Sequence, residues 1–286
     1  MKTAIGGPRS IWLALGVVVF YVLCAWGLGN LLSGLVGDDG SLADFSLGHF
    51  IPLAVGIGGV LLFLRWAGWG AEVWRERPTP TLTPRRWWLI SIPVLAFAVP
   101  VVELFDVPWS GRSLGFLAVV ALGTLMVGFG EELVIRGVLL TAVRARFGEF
   151  AVFLLTCFVF ALAHIPGYLF SGLPLFIIAF NVIALMSAGA TYYWIRRVTG
   201  RIWVAMLIHA LTDWVLYVGS DVGLPSASVP VQHSPADDSG TGALGYVESL
   251  LLILLAISVI SVIRESRRDK RNALSDDAGA VVSDRI

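Results

Sequence analysis

The residues with chemistry to offer interrupt apolar runs. Glu131, Glu132 and Arg136 fall in a stretch that is otherwise almost wholly apolar from 114 to 140. His164 closes a second apolar run, and His209 and Asp213 break a third. A charge at membrane depth costs at least a few kcal/mol, so such groups are paired, turned inward and functional. On a helix Glu132 and Arg136 are four residues apart and pair on one face. Glu131 lies about 100° round the axis. Glu132 is therefore read as the partner that holds Arg136, and Glu131 as the group available for chemistry. His209 and Asp213 share the four-residue spacing, so both can face one cavity. A lone histidine in an apolar span is more often a hydrogen-bonder between helices than a catalyst. Two histidines beside four other ionisable groups in neighbouring spans weigh against that reading, because buried ionisable groups need partners.

The elements that carry these groups follow from composition. The chain has 286 residues, of which 57% are hydrophobic and 14% charged, and its net charge is zero. Its mean hydropathy is +0.83. A soluble domain carries about 25% charged residues, so this is the composition of a membrane protein. No basic block precedes the C-terminal tail, which argues against a nucleic-acid partner. Cys24 and Cys157 both fall in apolar runs and read as small buried hydrophobes. A spanning helix needs roughly 20 apolar residues. Candidates lie at 11–32, 47–66, 87–104, 114–140, 150–169, 173–195, 202–218 and 244–263. The expected fold is all-α, a polytopic membrane protein of about eight transmembrane helices. The first run is too long for a signal-peptide core and is kept as a span.

Arginine and lysine set the orientation. Lys2 and Arg9 precede the first span, Arg65, Arg75, Arg77, Arg85 and Arg86 sit between the second and third, and Arg144 and Arg146 follow the fourth. Arg196, Arg197 and Arg201 follow the sixth, and five bases from Arg264 to Arg271 follow the eighth. The alternate loops are acidic, with Arg112 their only base. Both termini are thus expected in the cytoplasm. The organisation divides into N-terminal helices (1–113), a core that carries the motifs (114–218), an outer loop and last helix (219–263), and a disordered cytoplasmic tail (264–286). His233, in the outer loop, reads as solvated. Tryptophans at 66, 69, 74, 87 and 88 flank the polar connection 68–84 and suggest interfacial anchoring.

Geometry favours one site. If the fourth and fifth spans turn at Gly148, Glu132 and His164 are each sixteen residues from the turn and share a level. Glu131 lies within one residue's rise of it, about 1.5 Å. Such a hairpin is about 24 Å from turn to site, which suggests that it projects from the membrane. His209 is nine residues from Gly200, a shorter path to the same level.

Three motifs in this order resemble those of the CAAX-protease and bacteriocin-processing (CPBP) family of intramembrane proteases. They are Glu131-Glu132-x-x-x-Arg136, Phe160-x-x-x-His164 and His209-x-x-x-Asp213. The resemblance covers about 128–214. It implies hydrolysis of a peptide bond in a cavity between helices, with Glu131 and His164 positioning and deprotonating a water. His209 would donate to the developing oxyanion and Asp213 would fix its tautomer, with Glu132 and Arg136 in support. The prenyl-protease branch has asparagine where this chain has Asp213; an ionised aspartate accepts hydrogen bonds but donates none. Zinc is an alternative cofactor, held by Glu131, His164, His209 and Asp213, since histidine and carboxylates are ordinary ligands. No His-Glu-x-x-His pair lies on one helix, so metal-free chemistry is favoured. The expected partners are the bilayer and a membrane-associated protein or peptide, in a prokaryotic inner membrane. Two other functions stay open: a non-catalytic membrane partner such as an immunity protein, and a transporter with a buried proton relay.

Overall fold

The computed structural model describes residues 8–36, 42–82, 84–220 and 243–283, with side chains described for 8–36, 42–82, 84–220 and 244–272. It is helical throughout, with no strand among the described residues beyond an isolated antiparallel bridge between Arg75 and Arg201. Helices dominate because no water is present in a bilayer core to satisfy backbone groups, and a helix pairs its own. The principal helices are α1 (Ile11–Ser33), α2 (Leu42–Ala67), α3 (Trp87–Glu103), α4 (Leu114–Arg144), α5 (Glu149–Phe170), α6 (Leu175–Thr199), α7 (Ile202–Gly219) and α8 (Ala243–Ser283). Seven of the eight contain a stretch long and apolar enough to cross a membrane. The exception is α3, which at 17 residues or fewer spans about 25 Å, short of a hydrocarbon core of about 30 Å. The expectation of about eight membrane helices therefore holds, with α3 the short one.

Local sequence explains the boundaries. Ser113 caps α4 by accepting a hydrogen bond from the Phe116 amide at 3.2 Å. Gly200 ends α6 with φ of 68°, a left-handed turn that glycine adopts without penalty. It also leaves no room for a side chain, since a Cβ there would strike the Glu76 carbonyl and Pro78. α1 and α4 are each interrupted by a π-helical stretch, Leu23–Leu28 and Leu133–Leu139. π-helical stretches inside α-helices are frequent at functional sites.

Packing is that of a protein meant for lipid. α4 lies against α7 and α2, and α5 against α6. The buried centre holds Leu133, Leu139, Leu140, Tyr193, Trp194 and Ile195. Large apolar side chains such as Trp12, Leu62, Phe176 and Leu175 face outward, and contiguous exposed apolar surface of this extent needs a bilayer to cover it. Both cysteines are free and buried.

The polar connection 68–84 is more than an interfacial anchor. Trp66, Trp87 and Trp88 are exposed as a belt would be, but Trp69 is buried against Phe63, with ring centroids 5.2 Å apart. Glu76 from this connection meets Arg144 at 2.5 Å, and Arg144 also binds Glu149 across the α4–α5 turn at 2.6 Å. Arg197 on α6 reaches Glu265 on α8 at 2.6 Å. Where the sequence suggests a disordered tail from 264, the structure has helix as far as Ser283. The ion pairs of Glu265 with Arg86 and Arg197 hold that helix just past its apolar stretch. The outer loop from 221 to 242, with His233, lies outside the described residues.

Candidate active site

Three helices bring the predicted residues together, and a fourth adds a residue the motifs did not indicate. α4 supplies Glu131, Glu132 and Arg136, α5 supplies Phe160 and His164, α7 supplies His209 and Asp213, and α6 contributes Tyr192. Close approach of α4 to α7 depends on Gly128, where a Cβ would come within 2.7 Å of the Met206 carbonyl and 2.8 Å of the Ala210 amide. Gly130 plays the same part toward α1, since a side chain there would collide with the Tyr21 hydroxyl.

The base of the site is an ion pair with no solvent contact. Arg136 and Glu132 are fully buried, and Arg136 Nη1 donates to Glu132 Oε1 at 2.9 Å. Arg136 Nη2 donates to the Gly189 carbonyl of α6, also at 2.9 Å. The guanidinium lies 4.3 Å from the Phe160 ring centroid and 5.4 Å from that of Tyr192, a contact that the ring quadrupole makes attractive. Burying a charge this deeply costs several kcal/mol unless it is paired and hydrogen-bonded. The carboxylate, a carbonyl and two aromatic faces provide most of that, while Arg136 Nε and Glu132 Oε2 have no hydrogen-bond partner among the described residues.

Glu132 does a second job. His209 Nδ1 lies 3.0 Å from Glu132 Oε1, so the carboxylate accepts the ring proton and fixes the imidazole. Tyr192 stacks on the same ring at 4.3 Å and 13°. The carboxylate that orients His209 through Nδ1 is thus Glu132, not Asp213. Asp213 Oδ2 stands instead 3.5 Å from His209 Nε2, on the cavity side.

Glu131, about 100° round the helix from Glu132, faces the opposite ring nitrogen of His209. Its Oε2 is 4.0 Å from His164 Nε2 and 3.8 Å from His209 Nε2. The side chains of Glu131, His164 and Asp213 keep 22%, 23% and 21% of their surface, which opens them to a cavity of about 230 Å³. His164 Nδ1 is 2.9 Å from the Phe160 carbonyl, which can only accept, so that nitrogen carries the proton. In the neutral ring Nε2 then presents a lone pair to the cavity. Among the described residues, no three His, Cys, Asp or Glu side chains converge as a group able to hold a metal ion.

Several cavity residues lie beyond what the motifs could indicate. Tyr21 and Trp26 enter from α1, His49 from α2 and Tyr217 from α7. Trp26 closes one wall edge-on against Phe170, with ring centroids 5.8 Å apart. His49 is buried, with Nδ1 2.9 Å from the Phe45 carbonyl. Tyr21, Trp26 and His49 sit in apolar runs away from the motifs, Trp26 within the π-helical stretch of α1, whereas Tyr217 follows Asp213 by one helical turn, a spacing that could have indicated it.

Residues 113–215 match the family model described as type II CAAX prenyl endopeptidase Rce1-like. Those residues run from the cap of α4 to two residues past Asp213, and so contain every side chain of the three motifs. No curated protein matches the chain, and no solved structure does. A capped α4 bearing Glu131, an α5 bearing His164 and an α7 bearing His209 all fall inside the matched segment, and over that segment the chain is similar to the Rce1-like type II CAAX prenyl endopeptidases, which supports its resemblance to the CPBP proteases.

Proposed function

We propose that the protein is an intramembrane endopeptidase that hydrolyses a peptide bond of a membrane-associated protein or peptide with a water activated by Glu131 and His164. The observation that carries this is the gap between Glu131 Oε2 and His164 Nε2. At 4.0 Å it is too wide for a direct hydrogen bond and suits one water bridging two acceptors. Both groups offer lone pairs, so the water gives them its two hydrogens and turns its own lone pair toward the cavity. As its oxygen attacks the scissile carbonyl carbon, a proton passes to Glu131 or His164, and the same proton can be returned to the leaving amine.

His209 faces carboxylate oxygens at both ring nitrogens. A ring so placed donates at both: Nδ1 to Glu132, and Nε2 toward the cavity, where the substrate's oxyanion develops. Donors aimed at that charge in a water-poor site typically contribute 10²–10³ in rate. Asp213 completes the wall beside Nε2. The aromatic lining, with Trp26, Tyr168, Tyr192 and Tyr217, suits an apolar peptide segment arriving from the bilayer.

The test is cleavage of a panel of quenched peptides, lipidated and not, by the detergent-solubilised protein, with and without a chelator. Activity that resists the chelator and is lost in Glu131→Gln supports the reading. Equal activity in wild type and Glu131→Gln overturns it. Chelator sensitivity reversed by zinc would replace the water-only mechanism with a metal-assisted one.

A further inference from the structure

A second cavity lies far from the site in sequence and chemistry. It is a groove of about 1010 Å³ between the N-terminal end of α3 and the stretch of α8 where apolar sequence gives way to charge. Its polar wall holds six bases, Arg86, Arg264, Arg267, Arg268, Lys270 and Arg271, against one acid, Glu265. That acid is already committed. Glu265 Oε2 accepts from Arg86 Nη2 at 2.8 Å, and Oε1 accepts from Arg197 Nη2 at 2.6 Å. Among the described residues, no carboxylate pairs with Arg264, Arg267, Lys270 or Arg271. The groove therefore carries a surplus of positive charge on a fixed support. Arg86 also donates to Ser261 at 2.8 Å, which leaves its buried Nε without a hydrogen-bond partner.

The other wall of the groove is apolar. Ile257 and Ile260 of α8 and the ring of Trp88 line it and are exposed. They continue into the outward apolar face of α8, formed by Ile253, Leu252 and Leu250. One ligand class fits both walls: a negatively charged headgroup with hydrocarbon attached. We infer that this groove is a binding site for an anionic phospholipid. Its phosphate sits among Arg264, Arg267 and Arg271, and its acyl chains lie along Ile260, Ile257 and the ring of Trp88. A soluble phosphate would use the bases alone, whereas the apolar strip, which the bilayer covers, sets hydrocarbon directly beside the bases and favours the lipid. Bases at a membrane surface each strengthen attraction to anionic lipid by roughly fivefold. The site is independent of the peptidase reading, since none of its residues belongs to the catalytic cavity.

The experiment uses the full-length protein, delipidated in a mild non-ionic detergent. It is then offered equal amounts of phosphatidylglycerol and phosphatidylcholine, and retained lipid is read by native mass spectrometry. Wild type should retain phosphatidylglycerol preferentially. Arg264→Gln with Arg267→Gln should reduce that retention by roughly fivefold per base, and Arg271→Gln alone by about the same single factor. All three side chains are exposed, so folding should survive, with an unchanged unfolding midpoint as the check. Arg146→Gln, an exposed base at the α4–α5 turn, should leave retention unchanged. Equal retention of the two lipids by wild type would overturn the inference. So would a loss in Arg146→Gln as large as that in the groove variants. Displacement of the lipid by millimolar glycerol phosphate would also overturn it, in favour of a soluble phosphate site.

Discussion

Glu132 Oε1 takes a hydrogen bond from Arg136 on one side and faces His209 Nδ1 on the other, and none of the side chain reaches the cavity. Glu131, one residue earlier, has the cavity and both histidine Nε2 atoms in front of it. Two adjacent glutamates should therefore fail in different ways. Glu132→Ala strands a buried guanidinium, a loss of about 3–5 kcal/mol for a broken buried pair, and should lower the unfolding midpoint sharply. Glu131→Gln should leave the midpoint nearly unchanged and reduce cleavage by about 10²–10⁴, the usual reach of a general base. Scanning fluorimetry and the peptidase assay on the same preparations separate the two; a Glu131→Gln midpoint as low as that of Glu132→Ala would count against these roles. Asp213→Asn keeps the size of the side chain and adds a donor beside His209 Nε2. Because the ring is oriented through Glu132, cleavage in Asp213→Asn should stay within about tenfold of wild type. A collapse to the Glu131→Gln level would instead assign Asp213 a proton-transfer role.

The three motifs were legible because ionisable residues stand out in apolar sequence and because i,i+4 spacing reports on one helix. That same reasoning stops at the helix surface. It found the Glu132–Arg136 pair and the shared face of His209 and Asp213, both local, while the family resemblance implied that Asp213 orients His209. The bond that forms, from His209 to Glu132, joins residues 77 apart and depends on how α4 and α7 pack. At the scale of elements that packing rests on Gly128. A Cβ there would meet α7 backbone, which no rotamer change relieves. Gly128→Ala should cost about 1–3 kcal/mol, the range for forced overpacking. Gly16→Ala in α1, with nothing within 4 Å, should be neutral or stabilising in the same unfolding experiment. The short loop helix Gly70–Trp74 offers a milder case. Arg9 binds Glu72 there and holds its carboxyl below the usual carboxylate range. That contribution is present above the ordinary carboxylate pKa and is lost as pH falls through the lowered one. Both side chains are well exposed, so Glu72→Gln should change stability at neutral pH by less than about 1 kcal/mol.

For the whole molecule, hydropathy located the spans because twenty apolar residues admit few other fates. It could not show that α3 is short, that Trp69 turns inward, or that helix continues past Arg264, since each depends on partners distant in sequence. From the distribution of bases we propose that both termini lie in the cytoplasm. A fluorescent protein fused to the C-terminus should therefore light up, and an alkaline phosphatase fused there should stay inactive; the reverse pattern would demand an odd number of crossings. The buried pair at the base of the site also bears on how the protein is made. Glu132 and Arg136 ride on the same helix, so α4 enters the bilayer carrying its own counter-ion. The rest of the shelter for Arg136 comes later in synthesis, from Phe160 and then the Gly189 carbonyl. A chain that stops before α6 thus holds a half-satisfied arginine at membrane depth, so the span with the chemistry is not fully sheltered until α6 has been made.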